Sequence, residues 1–240
     1  MVGIKSDLGN KRILNEDYAQ YYENNDYSIF ALADGMGGHN AGEIASETAT
    51  KAFIKYVNEN INIYEKDKLI RDGFIFANLE VYNLAKKSES LKGMGTTLVA
   101  CLKTKDKIYI GNVGDSSCFG IKENEIVKIT KDHSLVQELL DSGNITVEQA
   151  INHPQKNVIT RAVGTSKELK VDIFEVEKGK YEYFLMCSDG LSNEVDINRN
   201  LYFDIKREEN LQKVCEKLVE CAKSNGGRDN ITLMLFEGEV

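Results

Sequence analysis

The chain predicts an α+β fold in which β-sheets are covered by helices on their outer faces. Three observations predict it. Short apolar, β-prone runs come in adjacent groups, at 27–33, 96–102, 107–113, 181–187 and 231–236. The long segments between them carry amphipathic helical patterns and are not apolar all round. Strand and helix alternate irregularly, which disfavours a regular βαβ parallel sheet.

The helical segments follow from spacing. Residues 41–59 put Ile44, Ala45, Thr48, Ala49, Ala52, Phe53 and Tyr56 on one stripe. Residues 66–87 do the same with Ile70, Phe74, Ala77, Val81 and Leu84, and 208–223 with Leu211, Val214, Cys215, Leu218, Val219 and Ala222. The segment 132–163 is different. It is polar, holds two short helix-like pieces and carries His133 and His153. Lying between two strand regions, it reads as a flap laid over the surface.

A length of 240 residues and an apolar fraction of 42% allow one sizeable core. Pro154 is the single proline, and no linker, repeat or low-complexity tract interrupts the chain, so one domain spanning 1–240 is expected. A formal net charge of -8 argues against a nucleic-acid binder, which would carry a basic face. The cysteines, Cys101, Cys118, Cys187, Cys215 and Cys221, are odd in number and lack a C-x-x-C pair. They read as reduced core residues. No apolar run approaches the roughly 20 residues that span a bilayer. Residues 1–10 lack the apolar stretch of a signal peptide. A cytoplasmic protein without a membrane partner is expected.

Aspartates recur at strand ends. Asp34 follows Ile29-Phe30-Ala31-Leu32-Ala33, Asp115 follows the run ending at Gly114, Asp189 follows Cys187-Ser188, and Asp229 precedes the run from Ile231. Asp17, beside Glu16, follows a turn-rich approach. One Asp-Gly after a strand is an ordinary turn. Several such carboxylates in one domain are different, because rigid elements can aim them at a common point. Converging carboxylates cannot all stay ionised without cations. Hard Mg²⁺ or Mn²⁺ suits an all-oxygen ligand set. A calcium site is the weaker alternative, since no D-x-D-x-D-G loop with a following Glu occurs.

Six motifs, in one order, resemble those of the PPM-type (type-2C) protein phosphatases. They are Arg12-Ile13-Leu14-Asn15-Glu16-Asp17, Ala33-Asp34-Gly35-Met36-Gly37-Gly38-His39, Gly93-Met94-Gly95-Thr96-Thr97, Gly111-Asn112-Val113-Gly114-Asp115-Ser116, Cys187-Ser188-Asp189-Gly190-Leu191 and Gly226-Gly227-Arg228-Asp229-Asn230-Ile231-Thr232. Asp132-His133-Ser134 and His153-Pro154, with residues 157–164, resemble the flap of the bacterial branch.

The resemblance implies a four-layer αββα sandwich, two central antiparallel sheets flanked by helices. It also implies two tight Mn²⁺ or Mg²⁺ ions. Asp34, Asp189 and Asp229 would hold one; Glu16, Asp34 and the Gly35 carbonyl would hold the other, with Asp34 bridging. Asp17 would orient the attacking water, Asp115 would serve a third, weaker ion, and Arg12 would grip the substrate phosphate. Substrates would be phosphorylated proteins, the counterpart a Ser/Thr protein kinase, and the enzyme a monomer.

Such a set answers the chemistry. Phosphate monoesters hydrolyse extremely slowly, and their dianion repels a hydroxide. Two divalent cations acidify water and neutralise the phosphoryl oxygens during in-line attack. A covalent cysteine route lacks its arginine: the sixth position after each cysteine holds Lys107, Asn124, Asn193, Cys221 or Gly227. No D-x-D-x-[TV] motif supplies an aspartyl nucleophile either.

Two positions depart from the family pattern. Met36 stands where eukaryotic members place a histidine that is a candidate general acid, with His39 three residues on. Ser117 stands where an arginine is usual. Two rivals stay open: a catalytically dead relative that works as a binding module, and a phosphatase of small metabolites. His133 and His153 read as flap hydrogen-bonding or capping residues, with metal ligation as the alternative.

Overall fold

The computed structural model describes every residue except 37–40, 152, 209 and 240. Eleven strands appear among the described residues: β1 (Val2–Asp7), β2 (Asp17–Glu23), β3 (Tyr27–Met36), β4 (Gly95–Thr96), β5 (Leu98–Thr104), β6 (Lys107–Val113), β7 (Ser117–Lys122), β8 (Glu125–Lys128), β9 (Asp172–Glu177), β10 (Tyr183–Cys187) and β11 (Ile231–Glu237). The helices are α1 (Gly42–Asn60), α2 (Lys66–Ala85), α3 (Leu135–Asp141), α4 (Val147–Ile151), α5 (Asp189–Ser192), α6 (Asn200–Glu208) and α7 (Leu211–Asn225).

Two antiparallel sheets form, in the orders β1-β11-β10-β7-β8 and β2-β3-β5-β6-β9, with β4 paired to β3. The strands are apolar on both faces because both faces are covered. In β3, Ile29, Ala31 and Ala33 face α1 and α2, while Phe30 and Leu32 face the other sheet. In β11, Ile231, Leu233 and Leu235 face α6 and α7, while Met234 and Phe236 point between the sheets. This period of two on each buried face explains why these runs read as continuous apolar stretches. The rings of Phe30 and Phe236 stack across the inter-sheet layer at 3.8 Å and 3°. The result is four layers, helix, sheet, sheet, helix, as the motifs implied.

The structure adds to and corrects the sequence reading. Strands β1, β2, β7, β8 and β9 lie outside the five apolar runs. Residue Glu208 ends α6, and the last long helix starts at Leu211 behind the Asn210 side chain, which accepts the Lys213 N–H at 3.2 Å. Four cysteines are buried, but Cys221 is exposed, because it lies on the outward face of α7. The flap contains the two expected short helices, α3 and α4. Among the described residues no helix is long and apolar enough to cross a membrane.

Candidate metal centre

The antiparallel order brings one set of strand ends to one pole. Asp17 opens β2 and pairs directly with Asp34, near the end of β3. Asp115 follows β6, Asp189 follows β10 as the first residue of α5, and Asp229 precedes β11. A pocket of about 310 Å³ at this pole is lined by Arg12, Glu16, Asp34, Gly35, Asp115, Asp189 and Asp229. Met36, Thr97, Asn157 and Ile159 complete its wall. Seven of the eight residues singled out by the motifs thus share one pocket; the eighth, Asp17, is buried outside its lining.

Local chemistry fixes the frame. The Asp34 N–H donates to Thr97 Oγ1 at 2.8 Å, and its carbonyl accepts from Thr97 N–H at 2.9 Å and Thr96 Oγ1 at 2.8 Å. Thr97 Oγ1 in turn meets Ser116 Oγ at 2.8 Å, one residue from Asp115. Asn230 organises the Arg12–Glu16 approach: its Nδ2 donates to Leu8 O and Leu14 O, both at 3.0 Å, and its Oδ1 accepts the Glu16 N–H at 2.9 Å. Gly35 is required by close approach, since a Cβ there would lie 2.1 Å from Gly42 O and 2.6 Å from Glu16 O. Gly190 is required likewise, with Asn230 O 2.0 Å from its would-be Cβ.

The electrostatics are those of crowded like charges. Burial, reinforced by Asp17, Asp189, Asp115 and Asp229, holds the Asp34 carboxyl well above the usual range. Burial and the charge of Asp189 push Asp115 up to about 7. Burial raises Asp17 to about 7 against the hydrogen bonds from Ser188 and Thr232, and burial with Asp229 raises Asp189 to about 6. Burial also raises Glu16, offset by Arg12. Arg12 Nη2 donates to Asp229 Oδ2 at 2.8 Å, in a pair exposed to 47% and 30%. At that exposure the contact holds Arg12 only weakly.

An all-oxygen donor set under mutual repulsion fits a hard divalent cation. Among the described residues, however, no three His, Cys, Asp or Glu side chains close on a common point at ligand distance. Asp229 Oδ2 accepts from Arg12 Nη2 at 2.8 Å and Asp189 Oδ2 from Asn193 Nδ2 at 3.0 Å. The gathering itself rests on the strand topology and does not depend on rotamers.

His133 and His153 lie apart from the pocket lining. His133 is buried; its Nδ1 accepts the Gly114 N–H at 3.0 Å, and its Nε2 lies 2.8 Å from Arg161 Nη1 and 3.2 Å from Asp172 Oδ2. The His133 backbone receives the Thr160 N–H at 2.8 Å and donates to Gly114 O at 2.9 Å, tying the flap to the Asp115 loop. The His153 ring accepts the Gln155 N–H at 3.2 Å. Both act as flap hydrogen-bonding residues. His39 lies outside the described residues. Ser117, in the place of the usual arginine, is buried and its hydroxyl lies 3.4 Å from Asp115 O.

A four-layer sandwich with an acidic pole at one set of strand ends defines the class, and the comparisons define the family. The chain belongs to the protein phosphatase 2C family, whose model matches residues 10–235. It is 38% identical over 238 residues to the serine/threonine phosphatase stp of Listeria welshimeri, covering 98% of this chain and 94% of that one. It is 37% identical over 243 residues to the protein phosphatase PhpP of Streptococcus pneumoniae, covering 98% and 96%. The crystal structure of the serine/threonine phosphatase Stp1 from Staphylococcus aureus matches with a TM-score of 0.90 at 34% identity, covering 98% and 94%.

Proposed function

We propose that the chain acts as a single-domain, metal-dependent protein phosphatase on phosphoserine and phosphothreonine of cytoplasmic proteins, opposite a Ser/Thr protein kinase and as a monomer. The gathering of Glu16, Asp34, Asp115, Asp189 and Asp229 in one pocket beside Arg12 carries this reading. The names of the relatives support the substrate class.

Asp34, Asp189 and Asp229 would hold one ion, and Glu16, Asp34 and the Gly35 carbonyl the second, with Asp34 shared. Asp115 and Asp189 would hold a third, weaker ion. Bound Mn²⁺ or Mg²⁺ supplies an acidified water and positive charge for the phosphoryl oxygens. Arg12 binds the phosphate with its planar fork, leaving Asp229 free to serve as a ligand. Asp17, behind the pocket, orients the attacking water and receives its proton at a carboxylate oxygen. Buried Thr97 and Ser116 keep the backbone of Asp34 and Asp115 in register.

The test is phosphate release from a phosphothreonine peptide. Mn²⁺ should support turnover, excess EDTA should abolish it, and sugar phosphates should be poor substrates. Undiminished turnover in EDTA after metal-free purification overturns the metal reading; equal turnover of sugar phosphates overturns the substrate reading.

A further inference from the structure

Ser188 lies between β10 and Asp189 and is fully buried. Its N–H donates to Thr232 O at 2.9 Å, and the Thr232 N–H returns to Ser188 Oγ at 3.0 Å. The hydroxyl thus replaces the next carbonyl of the β10–β11 ladder, one step beyond the pair Cys187↔Leu233. With one lone pair taken, its single proton has two acceptors in range. Asp17 Oδ2 is at 2.8 Å and Thr232 O at 3.5 Å. The shorter, charge-assisted bond to the carboxylate prevails.

The other Asp17 oxygen, Oδ1, is buried without a hydrogen-bond partner in the protein. A polar loop closes around this residue. Thr232 Oγ1 meets Ser6 Oγ at 2.7 Å, Asn15 Nδ2 donates to Ser6 Oγ at 2.8 Å, and Asn15 Oδ1 accepts the Asp17 N–H at 3.2 Å. Asp17 is therefore held through its side chain by Ser188 and through its backbone by Asn15, which Ser6 of β1 and Thr232 of β11 brace in turn.

We propose that Ser188 is a positioning residue for phosphate hydrolysis: its hydroxyl ties Asp17 Oδ2 to the sheet and so presents Oδ1 to the attacking water. This rests on the role of Asp17 proposed above. The physical need is clear. The carboxylate torsion of an aspartate is broad, and Asp34, Asp189 and Asp229 repel this one. A displacement of about 1 Å at such a group can cost about a hundredfold in rate.

The alternative is that the hydroxyl only completes the ladder. A double-mutant cycle separates the two. Ser188→Ala, Ser188→Cys, Asp17→Asn and the double variant Ser188→Ala/Asp17→Asn are compared by kinetics on a phosphothreonine peptide and by Mn²⁺ calorimetry. Ser188→Ala should lower kcat about 10–100-fold, with KM within about twofold and tight Mn²⁺ binding kept. Ser188→Cys, close in size but a weak donor, should fall between. The double variant should be no slower than Asp17→Asn alone.

Wild-type kcat in Ser188→Ala while Asp17→Asn is inactive overturns the inference and leaves the Asp17 reading standing. Losses that multiply in the double variant also overturn it. Wild-type kcat in Asp17→Asn overturns both together. Should Ser188→Ala fail to fold, the same cycle run with Ser188→Cys decides the matter by the same criteria.

Discussion

Asp17 and Asp34 face each other as direct cross-strand neighbours in the β2–β3 ladder. Two carboxylates opposite one another destabilise a sheet, and here Asp189, Asp115 and Asp229 add to the repulsion. The protein keeps this arrangement at its functional pole, where cations would reverse its sign.

The ligand assignment predicts severe losses without unfolding. Asp34→Asn, Asp189→Asn and Asp229→Asn should each reduce kcat on a phosphopeptide at saturating Mn²⁺ by about a hundredfold or more, since each removes ligand charge and little volume. Circular dichroism should remain that of the wild type. Near wild-type rates in any two of the three would dismiss the assignment.

The same carboxylates predict a pH dependence of the metal-free protein. Asp17 and Asp115, at about 7, and Asp189, at about 6, hold protons in the folded state that they release in the unfolded one. A raised carboxylate pKa contributes stability that is full below the ordinary range near 4 and lost as pH rises toward 7. In EDTA, therefore, Asp34→Asn should melt a few degrees higher than wild type at pH 7.5, and the gap should shrink toward pH 5. A gap that widens on acidification would contradict the repulsion.

Arg12 predicts a binding effect. Its guanidinium is half-exposed and, among the described residues, pairs with Asp229 alone, so it is free to exchange that partner for phosphate. Arg12→Ala should raise KM for the phosphopeptide about tenfold, with a smaller change in kcat. An unchanged KM would remove Arg12 from substrate binding.

Asp115 predicts a separation of sites. Asp115→Ala should leave tight Mn²⁺ binding intact in a calorimetric titration, abolish a weak site and lower phosphopeptide turnover strongly. Wild-type kcat would eliminate its catalytic role, and loss of the tight sites would show that it belongs to them.

The inter-sheet layer predicts a purely structural effect. Phe30 is fully buried and stacked on Phe236. Phe30→Ala should cost about 3–5 kcal/mol in urea unfolding while leaving the KM of the folded fraction unchanged. A cost below about 1 kcal/mol would mean that the layer repacks freely.

Much of this was legible in the sequence. Strands buried on both faces, such as β5 and β11, announce themselves as unbroken apolar runs. The aspartates stood out because each interrupts or abuts such a run. What escaped notice is physically quieter. Strand β2, with Asp17, Gln20 and Glu23 among its tyrosines, lies at a sheet edge and is half exposed, so its polarity hid it. Strand β9 alternates Ile173, Glu175 and Glu177 with Asp172, Phe174 and Val176, a pattern that strict two-residue counting would have found. Thr97, Ser188 and Thr232 fall inside the motifs, but their roles were not legible, because a hydroxyl at a strand end is common and its meaning lies in a partner distant in sequence. Asn157 and Ile159 reach the pocket only because the flap folds back against His133 and Leu135.

The ends of the strands opposite the acidic pole have a consequence of their own. There the hairpins at 24–26, 105–106 and 123–124 join neighbouring strands through short turns, and none of these residues lines the pocket. The molecule is in effect two-ended, with chemistry at one end and plain connectors at the other. Inserted epitopes, fluorophores or whole domains should be tolerated at those connectors with turnover preserved, which gives the chain natural attachment points for sensors and tethers.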